Sequence, residues 1–215
     1  MSLASRLADG IGALGFAIPQ ETQSHLLQYL ALIQKWNHVH NLTAIREPET
    51  MLVRHLLDSL AVLPHITGER IADVGSGAGL PGIPLALVRP EWHVALVESN
   101  HKKAIFLQQA RIELKLKNVE VVAGRVENFS SVEGFDIIIS RAFSDLADFV
   151  KLAGHLCRQG DGGGRLVAMK GIYPHEELAQ LKSELNPQFT VEKILPIAIP
   201  GLEAKRHLIM IKRYE

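Results

Sequence analysis

The chain is poor in several features that would each have fixed a class of function. Of its 215 residues only Cys157 is a cysteine, so an intrachain disulfide and a multi-cysteine zinc site are both excluded. A reducing compartment fits that usage. Neither sign of charge is in excess: 23 Lys and Arg balance 23 Asp and Glu. That balance speaks against a general nucleic-acid coat and against a polybasic membrane binder, which hold anionic surfaces through a cationic surplus. A local basic site stays open, because charges that cancel in sum can still segregate by face. Long apolar runs are missing too. The most apolar stretch, 71–88, carries Asp73, four glycines and two prolines, which excludes a simple spanning helix. Near the start, Arg6 is the only early cation, and no apolar run precedes Asp9. Leu3, Leu7, Ile11 and Leu14 recur at helical spacing instead, so an amphipathic helix is expected there rather than a signal peptide. What remains is an ordinary folded composition, 47% apolar and 21% charged, long enough for one domain with an extension.

Two regimes divide the chain. Residues 1–66 read as helices only. Leu26, Leu27, Leu30, Ile33 and Trp36 form an apolar face over 20–38, and Pro48 opens a second helix that Pro64 ends. That second helix carries Met51, Leu52, His55, Leu56, Leu60 and Leu63 on one side. From 67 to 215 short apolar runs alternate with amphipathic helices. Strands are expected at 71–74, 93–98, 119–122, 135–139 and 165–169. Helices are expected from about 84, over 101–116, 145–157 and 175–185. Ile105, Phe106, Ala110, Ile112 and Leu116 mark the core face of the helix over 101–116. Ile137, Ile138 and Ile139 are continuous rather than alternating, as a strand covered on both faces of a parallel sheet requires. The last two strands, 189–199 and 206–212, have no helix between them, so they are antiparallel neighbours. The expected fold is α/β: a seven-stranded, mostly parallel sheet of Rossmann-like type with an antiparallel last strand. Helices lie on both faces, and the helical extension 1–66 packs on the core.

Asp73-Val74-Gly75-Ser76-Gly77-Ala78-Gly79-Leu80-Pro81-Gly82 follows the first strand and precedes a helix, at the ligand crevice of such a sheet. The spacing misses the dinucleotide fingerprint, because Gly79 comes one residue early and Gly82 too late. An acid beside the loop suits a cationic amino group better than a pyrophosphate. Acid-x-Gly-x-Gly-x-Gly resembles the first motif of class I S-adenosylmethionine methyltransferases. Asp73, Gly75, Gly77, Gly79 and Leu80 are then cofactor-loop residues. Glu98 ends the second strand roughly 20 residues beyond Gly75, the place for a carboxylate that accepts ribose hydroxyls.

After the fourth strand the chain reads Ser140-Arg141-Ala142-Phe143, not the Pro-Pro-aromatic run typical of amino-directed enzymes. Cys157 is expected at the far end of the next helix, which argues against a covalent cytosine mechanism. Acceptors that need no strong base remain, guanine N7 among them. Arg125, Arg141, Lys170, Lys205 and Arg206 all fall at strand ends on one edge of the sheet. Cations gathered around one cleft repel one another unless an anion occupies it, and a nucleic-acid backbone is the natural one. Arg141 paired with Asp145, and Lys170 paired with a helix carboxylate, are the alternatives. Lys102, Lys103, Arg111, Lys115 and Lys117 read as a solvated helix face.

Trp36-Asn37, Asn41-Leu42-Thr43, Arg54-His55-Leu56-Leu57-Asp58-Ser59, DVGSGAGLPGIP from Asp73, Gly124-Arg125-Val126-Glu127, Ser140-Arg141-Ala142, Lys170-Gly171 and Arg206-His207-Leu208 run in order. Over essentially the whole chain this resembles the ribosomal RNA small subunit methyltransferase G family, also called glucose-inhibited division protein B. The resemblance implies a cytoplasmic bacterial enzyme that moves a methyl from S-adenosyl-L-methionine to N7 of one guanosine in 16S rRNA. Neither a membrane nor a metal is expected, and the chain is expected to be monomeric. Gly75, Leu80, Val126, Glu127 and Arg141 would touch the cofactor, with Val126 and Glu127 beside the adenine. Arg125, Lys170, Lys205 and Arg206 would face the RNA, and Arg141, Lys170 and Arg206 would serve catalysis. A small-molecule methyltransferase is the alternative. Asn41, Thr43, His55 and Asp58 either cap and anchor the N-terminal helices or wall the acceptor pocket.

Overall fold

A computed structural model describes residues 1–141, 143, 145–160, 162–184 and 188–214. Ala142, Asp161 and Leu185, which the sequence places in a site segment, a turn and a helix end, lie outside them. The sheet has seven strands in the order β3-β2-β1-β4-β5-β7-β6. β1 (Arg70–Val74), β2 (His93–Glu98), β3 (Val119–Ala123), β4 (Ile137–Ser140) and β5 (Arg165–Lys170) are parallel. β7 (Leu202–Arg213) lies antiparallel between β5 and β6 (Phe189–Ile199). The expected fold class is thus the observed one.

The chain builds outward from β1 to β2 and β3, then returns to place β4 on the other side of β1. That reversal opens a crevice at the carboxyl ends of β1 and β4. Ile137, Ile138 and Ile139 are fully buried because both faces of β4 are covered. One face carries α1 (Leu3–Ala13), α2 (Gln20–His40), α3 (Pro48–Met51), α4 (Asp58–Leu60), α5 (Gly82–Val88) and α6 (His101–Glu113). Their apolar residues share one core with Ile71, Leu96, Ile137 and Ile139. The other face carries α7 (Leu146–Ala153) and α8 (His175–Glu184), packed on Ala72, Ile138, Leu166 and Ile209.

Several elements differ from the periodicity. The helix expected from Pro48 to Pro64 is interrupted by a π-helical segment, Leu52–Leu57. One extra residue per turn re-aims everything after it by about 100°. Arg54 and His55 lie within this segment and Asp58 directly after it. In α6, Ile105 and Ile112 are exposed, because Ala104, Phe106, Leu107 and Ala110 form the buried arc. α7 stops at Ala153 and continues as a short 3₁₀ turn. β7 starts at Leu202, earlier than expected, since Gly201 (φ 77°) closes a tight hairpin. Lys205 therefore belongs to the strand together with Arg206. Pro196 is tolerated inside β6 because that strand is at the sheet edge.

The N-terminal helices reach the glycine loop directly. Tyr29 is fully buried on α2, and its hydroxyl donates to the Ala78 carbonyl at 2.5 Å. Tyr29→Phe keeps the ring and deletes the donor, which should lower unfolding free energy by about 1–3 kcal/mol. A urea titration should show the midpoint falling with the slope unchanged; no change in midpoint would mean this bond carries no weight.

Candidate active site

The loop after β1 is built from its own hydrogen bonds. The Gly75 N–H donates to the Val97 carbonyl, Ser76 Oγ to the Asp73 carbonyl, and the Gly79 N–H to the Ser76 carbonyl at 2.7 Å. Gly77 is at φ 61°, where a side chain would be strained, and its N–H donates to Glu98 Oε2 at 2.7 Å. Glu98 Oε1 accepts the Asn100 N–H, and Asn100 itself caps α6. Gly82 is fixed by closeness: a Cβ there would meet Leu96 Cδ2 at 2.3 Å and Asp73 Oδ2 at 2.8 Å. Its N–H donates to Asp73 Oδ2, while Asp73 Oδ1 is buried without a partner.

A cavity of about 490 Å³ opens above this loop, lined by Gly75, Val97, Ser99, Arg125, Val126, Glu127, Phe143 and Leu152 among others. Small-molecule sites run roughly from 300 to 1,000 Å³. Of the residues expected at the cofactor, Gly75, Val126 and Glu127 line the cavity. Gly77, Gly79, Asp73 and Glu98 build the loop under it, and Leu80 is turned into the core. Arg125, expected to face RNA, lines the cavity as well. Another cavity of about 440 Å³, lined by Asp148, Lys151, His155, Phe189 and Arg213, lies at the opposite sheet edge, away from the strand carboxyl ends.

The cations do converge, but they are not bare. Arg141 Nη1 donates to Asp58 Oδ2 at 3.1 Å and to the Arg54 carbonyl at 3.0 Å. Arg206 Nε donates to Asp58 Oδ1 at 2.8 Å. Lys170 Nζ meets Glu177 at 2.6 Å and the Phe143 carbonyl at 3.0 Å. The expectation that an external anion must relieve the rim is therefore corrected: Asp58 and Glu177 supply negative charge from within. Arg141 does not take Asp145, which caps α7 instead. Lys205 is exposed beside Arg206.

The N-terminal residues weighed as anchors or as a pocket wall make the following contacts. Asn37 and Thr43 exchange two hydrogen bonds, Thr43 Oγ1 meets His55 Nε2 at 3.1 Å, and Asn41 ends α2 in a left-handed conformation. Asn41, Thr43 and His55 thus bond or cap within the N-terminal helices, whereas Asp58 pairs with Arg141 and Arg206. The alternative of Lys170 on a helix carboxylate is what Glu177 of α8 supplies, while sequence reasoning missed Tyr29 and the double role of Asp58. The available signal was a lone carboxylate among leucines in His55-Leu56-Leu57-Asp58-Ser59-Leu60. Cys157 is buried and burial pushes its thiol up to about 12, which makes it inert. Among the described residues no cluster of metal-ligating side chains exists, and no helix is long and apolar enough to cross a membrane.

Two buried groups titrate in opposition. Burial, helped by the Arg141 charge, lowers His55 to about 4. Its unfolded form takes a proton below about 6.5, so the stability it contributes is present above that and is lost as pH falls toward 4. Burial raises Asp73 to about 7, opposed by the Gly82 N–H and Arg141. Its contribution is complete below the unfolded value of about 3.9 and is lost as pH rises toward 7. Each is worth on the order of a few kcal/mol. Between pH 4 and 6.5, His55→Gln should therefore tilt the stability-against-pH curve downward relative to the unmodified chain, and Asp73→Asn upward. Denaturant titrations across that window check both signs, and tilts of the same sign would contradict the assignment.

Residues 22–209 match the model of the GidB family, described as rRNA small subunit methyltransferase G. A relative of Nitrosospira multiformis named Ribosomal RNA small subunit methyltransferase G is 69% identical over 217 residues, covering 99% of each chain. One of the same name from Nitrosomonas eutropha is 52% identical and covers 99% of this chain and 98% of its own. Among solved structures, a SAM dependent methyltransferase from Aquifex aeolicus aligns over 83% of this chain and 97% of its own, with a TM-score of 0.60 at 15% identity. TrmN from Thermus thermophilus aligns over 75% of this chain and 53% of its own, with a TM-score of 0.56 at 17% identity. At those identities the structural likeness speaks for the sheet and its topology alone. The sequence relatives go further: this chain belongs to the rRNA small subunit methyltransferase G (GidB) family.

Proposed function

We propose that the chain transfers the methyl of S-adenosyl-L-methionine to N7 of a guanosine in small-subunit 16S rRNA, acting in the cytoplasm. The observation that carries this is an adjacency. A small-molecule cavity and a rim of Arg141, Lys170 and Arg206 occupy the same carboxyl edge of the sheet, in a chain similar over its full length to rRNA methyltransferases.

The residues present fit the cofactor. Val97, Val126 and Phe143 give apolar walls for an adenine, with Glu127 at the mouth. Asp73 Oδ1, a buried acceptor without a partner, fits an amino group approaching the loop. Each Glu98 oxygen accepts one backbone N–H and keeps a lone pair for a ribose hydroxyl. When bound, S-adenosylmethionine supplies an electrophilic methyl on a sulfonium. Guanine N7 has its own lone pair for such a displacement, in which the methyl–sulfur bond would break and the positive charge would pass to the base. No proton has to be removed, so the chain contributes alignment and electrostatics rather than a general base. Arg141, Lys170 and Arg206 hold the acceptor loop by its phosphates and base edge.

Labelled S-adenosylmethionine offered with naked 16S rRNA, assembled small subunits or a metabolite extract should label rRNA, with cleavage at N7-methylguanosine marking one position. Label in small molecules only would overturn the proposal. Single variants should also split the two halves of the site. Glu127→Ala should weaken cofactor binding by about 10-fold or more, the loss of one hydrogen bond to a charged group. Arg206→Ala should reduce rRNA methylation comparably with cofactor affinity nearly intact. Isothermal titration beside initial rates reads both; unchanged cofactor affinity for Glu127→Ala, or equal losses in both quantities for Arg206→Ala, would contradict the placement.

A further inference from the structure

Asp58 is the most buried acid at the rim, with its side chain 2% exposed, yet it carries two guanidiniums. They come from places far apart in the chain. Arg141 follows β4, Arg206 lies on β7, and Asp58 itself follows the π-helical segment of the N-terminal helices. The arginine side chains are 29% and 23% exposed, so the carboxylate sits inside and the guanidiniums point outward over it. Each guanidinium has five N–H donors. Arg141 Nη1 is spent on Asp58 and the Arg54 carbonyl, while Arg206 spends Nε on Asp58 and Nη1 on the Lys205 carbonyl. The remaining donors make no hydrogen bond among the described residues, and both side chains reach solvent. We propose that Asp58 is the positioning residue of the acceptor side, holding Arg141 and Arg206 in one fixed arrangement and restraining their grip on non-cognate phosphate.

The proposal rests on the rRNA methyltransfer reading and gives it a physical cause. Two guanidiniums meeting without a shared acid repel each other and splay into solvent. Splayed arginines bind any phosphate, since that attraction carries no sequence information. Held on one carboxylate, they form a rigid fork that an RNA loop of the right shape meets and a wrong one does not. The chemistry asks for the same restraint. Positive charge arrives on the guanine as its N7–methyl bond forms, and two uncompensated cations beside it would oppose that step. Asp58 removes one of the two charges while leaving N–H donors to orient the base. Lys170 on Glu177 repeats the device at the neighbouring strand.

The test uses Asp58→Asn in the full chain, with Arg206→Gln as a second variant. Cofactor affinity, turnover on small-subunit rRNA, and binding to an unrelated RNA hairpin across a salt series are measured for each. For Asp58→Asn the expected result is at least 10-fold slower turnover, about 5-fold tighter hairpin binding at low salt, a salt slope steeper by about 1, and cofactor affinity within 2-fold. A residue that merely braces the fold would lower stability, cofactor affinity and RNA affinity together, and that pattern overturns the proposal, as does unchanged turnover. Should Asp58→Asn not fold, Arg206→Gln decides. Slower turnover with unchanged hairpin affinity supports the proposal, because Arg206 was already restrained; parallel loss of both sinks it. If the unmodified chain methylated only small molecules, the functional reading would fall, while the hairpin measurements would still judge the restraint by Asp58.

Discussion

β1 has parallel partners on both sides, β2 from residue 70 to 74 and β4 from 71 to 73, and the site depends on that pairing. Parallel neighbours on both sides mean that the chain has left β1 in one direction and come back in the other. Connections above β1 and β4 therefore diverge, and a crevice stays open between them. The glycine loop leaves β1 into that opening, Ser140 Oγ from β4 ties back to the Val74 carbonyl, and Arg141 follows at once. β5 and the antiparallel β7 bring Lys170 opposite His207, next to Arg206, at the same edge. A single strand order thus places a cofactor cavity and an acceptor rim side by side.

Electrostatic balance is the second theme, and it operates at two scales. Globally the charges cancel. Locally the rim cations are cancelled in part by acids of the protein's own, Asp58 for two arginines and Glu177 for a lysine. A rim that is cationic but restrained suits an enzyme that must find one loop of a large RNA, because loose cations would hold every stretch of backbone alike. Burial sets the titrations of the two groups beside the rim, and the rim charge adjusts them. The Arg141 charge lowers both His55 and Asp73, while burial pushes those two groups in opposite directions.

Much of this was legible in the residues. The continuous isoleucines of β4, the alternation of strands and helices, the glycine loop and the absence of a helix between the last strands all report local periodicity. Local periodicity survives without knowledge of the fold. The elements that were misjudged share a different cause. Pro48 and Pro64 bracket a regular apolar pattern, and nothing in it announces the π-helical turn at Leu52–Leu57, which is selected by packing. Ile105 and Ile112 fit the helical period, yet the neighbours of α6 cover a different arc. Lys205 looks like a connection residue, but the tight hairpin carries it into β7, where Arg206 pairs with Ile197 of β6.

By itself, the sequence determined the class of sheet, the loop that meets a ligand, the family and the side chains at the strand ends, because each follows from composition, spacing or a contiguous motif. Which acid answers which base was decided only by the tertiary structure. Arg141 had Asp145 within one helical turn and chose Asp58, 83 residues away, and Arg206 reached the same carboxylate across 148. Tyr29 likewise found the Ala78 carbonyl 49 residues on. Ion pairs and buried hydrogen bonds depend on distance and desolvation in space, neither of which has an image in a linear string until the chain has folded.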